Sequence, residues 1–484
     1  MASNKNRDIE QITQLIVADP GLPRPNPTSS YWQNPPHTLS KIQSPTLQRE
    51  TNHAIIGSGI TGLSIAKTLL NSHPTTKITI LEARTLCSGA TGRNGGQMAA
   101  NMGEEYSHLV QHLGSEMAGK IAKFTLKNLD CMKELIEEFD TGDICEVQEL
   151  RKLRVFLNGE KFEAFRGSIA LMEGDHPELK GFYKILDGDT VLKKYGIHGA
   201  VGGALLPAGT VWPYRLVTKV FEDLLKKFPD RLTIETNTPV INVEHDPTCT
   251  TPAAYTIHTS RGSLRAENVF YATNGYTGHL LPRLRGRIHP FKGTMTVQDS
   301  NGSVPNQGKD VSWGFHYTPT YDSVTGKSGY GLYYLGQSVK TGYFYFGGEN
   351  ARVDETVSAD DSFVGEDSVA HLRKGLPRFF GKDNSSSWKL VSSWSGIMGF
   401  SSDGLPLVGR VPSSLSGRSG QGEWIAAAFN GYGMANCLLS GEAIALMALG
   451  KKVDWLPGAY GLDEERLKSV LTERESVQAL TAKL

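Results

Sequence analysis

Three glycines, Gly57, Gly59 and Gly62, stand in "HAIIGSGITGLSIAKTLL", between an apolar run and a segment of helical period opened by Ile60 and Thr61. Their GxGxxG spacing suits the holding of a diphosphate. The first glycine allows a tight turn, the second lets backbone approach the phosphates, and the third lets the helix lie close on the strand. The helix start adds N–H donors and the positive end of its dipole. Glu82 closes the next apolar run, "KITILEAR", 20 residues beyond Gly62. A carboxylate there accepts from a ribose hydroxyl and repels a 2′-phosphate. A glycine turn by itself is a weak signal. Strand, turn, helix and acid in this order point to a dinucleotide.

The residues after Glu82 narrow the choice. "EARTLCSGATGRNGGQ" contains Ala83, Arg84, Gly89, Ala90, Thr91, Arg93, Asn94, Gly95 and Gly96. A simple NAD site would continue into a helix, whereas a flavin needs the chain to run back along its pyrophosphate, ribityl chain and ring. Small residues permit that close backbone approach. The other reading is a flexible surface loop. Aromatic material for a desolvated pocket lies in Tyr333, Tyr334, Tyr343, Phe344, Tyr345, Phe346, Trp394, Phe400 and Tyr432. Strand alternation sends about half of such residues into a sheet core. Tyr334 and Tyr432 are the candidates for the substrate face.

The chain has 484 residues, enough for two packed domains. Its 50 basic and 50 acidic residues cancel, so charge makes no case for nucleic acid or an anionic membrane. No long apolar run suggests a membrane span or a signal core, and a soluble intracellular protein is expected. Five scattered cysteines, without CxxC or a histidine cluster, suggest reduced thiols and no structural metal. Residues 1–50, rich in Pro and polar residues from 20 onward, read as an extended N-terminal arm that Tyr31 and Trp32 anchor to the body. Residues 104–140 have helical period, "TMTVQD", "GLYYLG" and "TGYFYFGG" read as strands, and "EWIAAAF" precedes a glycine turn and the helix "NCLLSGEAIALMALG".

The motifs "GSGITGLS…LEA…CSGATGRNGG", "GALLPAGTVWPYRL", "VFYATNGYT", "WSGIMGFSSDGLPLVG" and "WIAAAFNGYGMANCLLSGEAIALM" together resemble the D-amino-acid-oxidase superfamily of FAD-dependent oxidoreductases, from about Ser30 to Leu449. The likeness is greatest to its γ-glutamylputrescine oxidoreductase and sarcosine oxidase branch, particularly fungal members with a similar "SYW" arm. The resemblance implies an α/β Rossmann-like FAD-binding domain from 51–110, 200–283 and 388–460. A β-rich α+β substrate domain would come from 111–199 and 284–387, with 461–484 as a C-terminal tail. It also implies that Val240 lies at the adenine end, that Asn274 and Gly275 lie near the middle of FAD, and that Gly431, Tyr432, Gly433 and Met434 lie at the ring. Asp403 would begin a turn beneath, and Trp394 would lie beside the cofactor.

Such enzymes pass a hydride from a C–H beside nitrogen to the flavin, leaving an imine that water hydrolyses. The expected activity is therefore oxidation of an amine or amino acid, with O2 reduced to H2O2. The other readings are a dehydrogenase or tailoring oxidase, and a non-catalytic dinucleotide-binding protein. Sarcosine oxidases tether FAD through a cysteine in the stretch aligned with 388–404. None is present here, so FAD is expected to be noncovalent. Where they use a lysine for oxygen, this chain offers Tyr345 or Phe346. Lys292 and Lys340 are the substitute cations, the plainer reading of each being a surface lysine. Arg93, Arg283, Arg285 and Arg287 are candidates for a substrate carboxylate, and spacing singles out none. The final Ala482-Lys483-Leu484 resembles a peroxisomal address, which suggests that location and an import receptor as partner, with the cytoplasm as the alternative.

Overall fold

The computed structural model describes residues 2–382 and 388–481. Two sheets organise them. In the first, Glu50–Ile56 lies between Ile78–Leu81 and Gly262–Tyr271, parallel to both. Leu232–Glu235 and Glu423–Ala427 extend it in parallel on either side. Antiparallel Leu407–Arg410 closes one edge, while Val240–His245 and Tyr255–Thr259 pair off from Gly262–Tyr271. Helices Ile60–Ser72, Pro213–Lys227 and Cys437–Ala448 supply apolar residues to its core, which explains why "AIIG" reads as continuous apolar sequence. A Cβ on Gly441 would stand 2.7 Å from Thr61 O, so that glycine lets two of these helices cross closely.

The larger sheet runs Lys389–Ser401, Ile288–Asp299, Phe344–Arg352, Lys327–Gln337, Val311–His316, Gln148–Phe156, Gly202–Thr210, Gln97–Ala99. Its two faces differ in kind. Leu153, Val155, Trp313, Phe315, Tyr333, Leu335, Phe344 and Phe346 form one apolar core with Leu372, Leu376 and Phe379 of helix Glu366–Phe379. Alternation turns the residues between them to the opposite, front face. One front row crosses the sheet in register: Arg154 opposite Gly314, then Tyr334, Gly347, Met295 and Trp394.

This division corrects the sequence-based domain boundaries. Gln97–Ala99, Gly202–Thr210 and Lys389–Ser401 join the larger sheet, although each falls in a segment expected in the FAD domain. The expected helix 104–140 is Met102–Glu138, broken at Gly114, where φ is +79°. The first part of the supposed extended arm is helical, Ala2–Val17. The supposed polar tail folds as Glu464–Ser469 and Glu473–Thr481, with Leu480 packed among Ile12, Ile16 and Val357. Amphipathic pairing between the two chain ends makes both segments structural. Ala482, Lys483 and Leu484 lie outside the described residues. No helix among the described residues is long and apolar enough to cross a membrane.

His53, on the central strand, is 6% exposed, lies edge-on to Phe270 at 5.8 Å, and has no partner for Nδ1 among the described residues. Burial, reinforced by His73, pushes its pKa from 6.5 down to about 4. The unfolded chain therefore binds the proton first. Stability from this group is complete above pH 6.5 and is lost as pH falls toward 4, by about 3 kcal/mol for a shift of this size. His53→Leu should flatten that part of the stability curve, measured by urea unfolding from pH 7 to pH 4.

Candidate active site

The glycine turn is required by its surroundings. Gly57 has φ +110°, and a Cβ there would stand 2.6 Å from Ala272 O. A Cβ on Gly62 would collide with the Gly57 carbonyl, and one on Gly59 would stand 2.9 Å from Thr91 Oγ1. The same hydroxyl accepts from Ile60 N at 3.1 Å, joining the helix start to the segment that follows Glu82. Glu82 is buried. One oxygen accepts from Ser58 N at 3.1 Å and Oγ at 2.6 Å, and the other from Arg84 N at 3.0 Å. Thr238 N and Asn237 N donate to the carbonyls of Glu82 and Arg84, each at 2.8 Å. Those bonds bring Val240 close to the acid despite its distance in sequence.

Residues 88–97 run between the two sheets. The arm holds them from outside: Ser30 Oγ donates to Gly92 O at 2.8 Å and Trp32 Nε1 to Asn94 O at 2.6 Å. Trp394 Nε1 donates to Arg93 O at 2.8 Å from the larger sheet, so its indole supports this segment. Gly89 precedes the short helical turn Ala90–Gly92, and Asn94 Oδ1 caps Gly96 N at 2.7 Å. A Cβ on Gly96, where φ is +66°, would stand 2.6 Å from Val211 O. One on Gly95 would stand 2.8 Å from the ring of Tyr334, which places that tyrosine directly against the segment.

The side chains of Arg84 and Arg93 are engaged within the protein. Arg84 Nη1 pairs with Asp361 at 2.8 Å, and Nη2 donates to Ser88 O at 3.1 Å. Arg93 donates to Ser88 O and Ser395 O, each at 2.8 Å, while its Nε lies 3.7 Å from Asp361. Burial and the neighbouring Arg84 push the Arg93 guanidinium down to about 10. Both were expected at the cofactor. Their charged ends instead tie the segment to the larger sheet, and Arg93 is not free to clamp a carboxylate.

Asn274 Oδ1 accepts from Ala428 N at 3.1 Å, and a Cβ on Gly275 would stand 2.5 Å from Met398 O. Ala428, Asn430 and Gly431 all have positive φ, bending the chain so that half-buried Tyr432 follows. Gly433 begins a short helical turn, and Met434 O accepts from Asn128 Nδ2 at 3.1 Å. Asp403 binds Arg466 through both oxygens, at 2.7 and 3.1 Å, so its charge anchors the C-terminal segment.

Lys292 departs from expectation. A Cβ on the next residue, Gly293, would point at Met398 and toward Tyr334. Lys292 therefore projects from the other face of the sheet, 3.4 Å from the centre of the Phe363 ring, with no hydrogen-bond partner for Nζ among the described residues. Glu349, buried near it, has its pKa pushed up to about 7, chiefly by burial. Lys340 is exposed, 3.5 Å from Glu146. Arg283 and Arg287 donate to backbone carbonyls, and Arg285 pairs with Asp19 at 2.6 Å.

A polar cluster that the sequence analysis did not single out shares the front face with Tyr334. Arg154, 3% exposed, pairs with Glu104 and donates to Ala100 O at 2.9 Å, and His316 Nδ1 lies 3.1 Å from the same carboxylate. Arg154 and His316 hold Glu104 well below the usual carboxylate range. Lys152 donates to Gln97 Oε1 at 2.6 Å. Glu104, Lys152, Tyr334 and Tyr432 keep accessible surface, yet burial sets the direction in which Lys152, Tyr334 and Tyr432 shift, as for side chains facing an enclosed cleft. The one signal in the sequence is "KLRV", where two cations alternate with core residues on a strand.

Asp361→Asn should leave Arg84 and Arg93 buried without a counter-charge. A loss of about 3–5 kcal/mol is expected, read from the urea midpoint.

Residues 52–447 match the family model described as FAD dependent oxidoreductase. A probable oxidoreductase, OrdL, from Rhizobium meliloti is 23% identical over 413 residues, covering 84% of this chain and 85% of the relative. Glycine oxidase from Geobacillus kaustophilus superposes with a TM-score of 0.66 at 17% identity, covering 86% of this chain and 99% of that one. L-proline dehydrogenase from P. horikoshii gives 0.64 at 16%, covering 87% and 99%. The glycine turn, the acid that follows it and a segment of small residues laid between two sheets are what an FAD site requires of a backbone. This chain belongs to the FAD-dependent oxidoreductase family and is an FAD-dependent enzyme.

Proposed function

We propose that this protein oxidises a C–N bond of an amine or amino acid, with O2 as the final acceptor and H2O2 as the second product. The observation that carries the reading is the front row of the larger sheet, in which Arg154, Gly314, Tyr334, Gly347, Met295 and Trp394 stand in register, with Tyr334 against Gly95 and Trp394 bonded to Arg93 O. Bound FAD supplies the hydride acceptor for such a reaction. The residues proposed to hold it are Gly57, Gly59 and the helix start at Ile60 for the diphosphate, Glu82 for the ribose, and the backbone of 89–96 along its length. Tyr334 and Tyr432 wall the cleft. Excluding water there favours the neutral amine, the form able to release a hydride. The solved structures named above include an oxidase of glycine and a dehydrogenase of proline, which supports a C–N substrate and keeps a dehydrogenase as the second reading.

Anaerobic mixing of the purified holoenzyme with a panel of amines and amino acids should bleach the flavin band near one substrate class, and readmitted O2 should restore it. Slow restoration favours the dehydrogenase; bleaching by none overturns the proposal. Gly59→Val pushes on Thr91 and enters the diphosphate turn, so folded but colourless protein is expected; full FAD retention would refute this placement. Glu82→Ala should weaken FAD by about 1.5–3 kcal/mol, as for hydrogen bonds to a charged acceptor, measured by fluorescence titration.

Peroxisomal location is proposed on the Ala482-Lys483-Leu484 ending and on the benefit of confining an H2O2 source with catalase. Residues appended after Leu484 should move an N-terminally tagged protein from puncta to cytosol without loss of activity. Diffuse staining of the unextended protein would overturn it.

A further inference from the structure

Lys152 lies on the front face of the larger sheet, two residues from Arg154 on the same strand. Its stem lies beside His316 over Gly314, where a Cβ would stand 3.3 Å from Lys152 Cε and 3.7 Å from His316 Nε2. Its ammonium donates to Gln97, a neutral acceptor in the strand that follows Gly95 and Gly96. Among the described residues no carboxylate stands within ion-pair distance of it. Glu104, the acid that reaches this cluster, is already held by Arg154 and His316. Beyond lie Tyr432, with Glu104 and Glu105 acting on it, and Tyr334 on the neighbouring strand. There is open space nearby: among the described residues nothing lies within 4 Å of where a Gly336 Cβ would be, and buried Ser312 Oγ has no partner.

An enclosed amine with a guanidinium beside it and no counter-ion gives up its proton readily. Burial first, and Arg154 second, push Lys152 down to about 7, with Glu104 opposing. The neighbours are unsuited to the same task. Arg154 stays charged, Glu104 is tied by Arg154 and His316, His316 is tied by Glu104, and burial raises Tyr334 and Tyr432 so that they stay protonated.

We propose that Lys152 is the proton acceptor of the amine oxidation put forward above, and this role rests on that reading. The substrate arrives as an ammonium. Its N–H bond breaks, the electron pair stays on the substrate nitrogen, and a new N–H bond forms at Lys152 Nζ, giving neutral substrate and a lysine ammonium. The freed lone pair then becomes the second bond of a C=N group as the adjacent C–H bond breaks, its hydride leaving to the acceptor that bound FAD would supply. An acceptor half-protonated near neutral pH suits this step.

Two measurements test the proposal. In holoenzyme labelled with 15N at lysine Nζ, the signal missing from Lys152→Met should titrate near pH 7; a midpoint above 9.5 overturns the proposal. With the substrate found in the amine panel, the anaerobic flavin-reduction rate of wild type should rise with pH through an inflection near 7. Lys152→Met, with its FAD absorbance retained, should lose that inflection. It should be about 100-fold slower at pH 8 and recover as the substrate's own amine deprotonates. Lys152→Arg should not restore the rate. An unchanged pH profile with only a higher half-saturation concentration makes Lys152 a binding cation and overturns its role alone. A wild-type flavin that no amine or amino acid reduces overturns the reaction, and the role with it, whatever the 15N titration shows.

Discussion

Asp361 sits between two arginines of one segment, and much of the architecture depends on that contact. Its carboxylate holds Arg84 and lies near Arg93, while its backbone carbonyl accepts from Thr28 N at 2.7 Å. Arg84 leaves the end of a strand of the first sheet, Arg93 belongs to the segment of small residues, Thr28 belongs to the arm, and Asp361 comes from beside the larger sheet. Four parts of the chain thus meet at one buried charge, where removal of a partner is far costlier than the pair is stabilising. The arrangement also explains why a segment with so many glycines keeps one path: its ends are fixed even though its residues are permissive.

The larger sheet turns that fixed segment into a cleft. Its back face is an ordinary apolar core with a helix laid upon it, and this supplies the rigidity. Its front face carries Lys152, Arg154, Ser312, His316, Tyr334 and Tyr345 among glycines, a composition that costs stability in any buried layer unless the groups satisfy one another or serve a ligand. Arg154, Glu104 and His316 do satisfy one another. Lys152 and Ser312 do so incompletely, and they adjoin the open space beside Gly336. Precise chemistry is thereby mounted on a surface whose reverse side supplies the folding energy.

The contrast between Lys292 and Lys152 shows how narrow the margin is. Each is a lysine on a strand of the same sheet, Lys292 buried and Lys152 partly so. Lys292 is next to a glycine that faces Tyr334, and that single step in register sends it to the far face, onto Phe363. Lys152 is in step with Arg154 and so faces the cleft. Period-two geometry makes the decision all or none.

What the sequence alone determined was local. Strand, glycine turn, helix and Glu82 lie within about three dozen contiguous residues, and the reasons for each, sharp turning, close packing and an acid at a strand end, act over that same distance. The small residues of 88–96 were legible for the same reason, as was the anchoring of Trp32. Membership of the sheets was not. Gln97–Ala99, Gly202–Thr210 and Lys389–Ser401 have strand character in either domain, and only their partners assign them to the larger sheet. The two chain ends looked solvated because each hides its apolar stripe against the other. Glu104, Arg154 and His316 carry no motif at all. They become one cluster only when a helix and two strands from distant parts of the chain converge, because burial and charge pairing are properties of the assembled interior rather than of any segment.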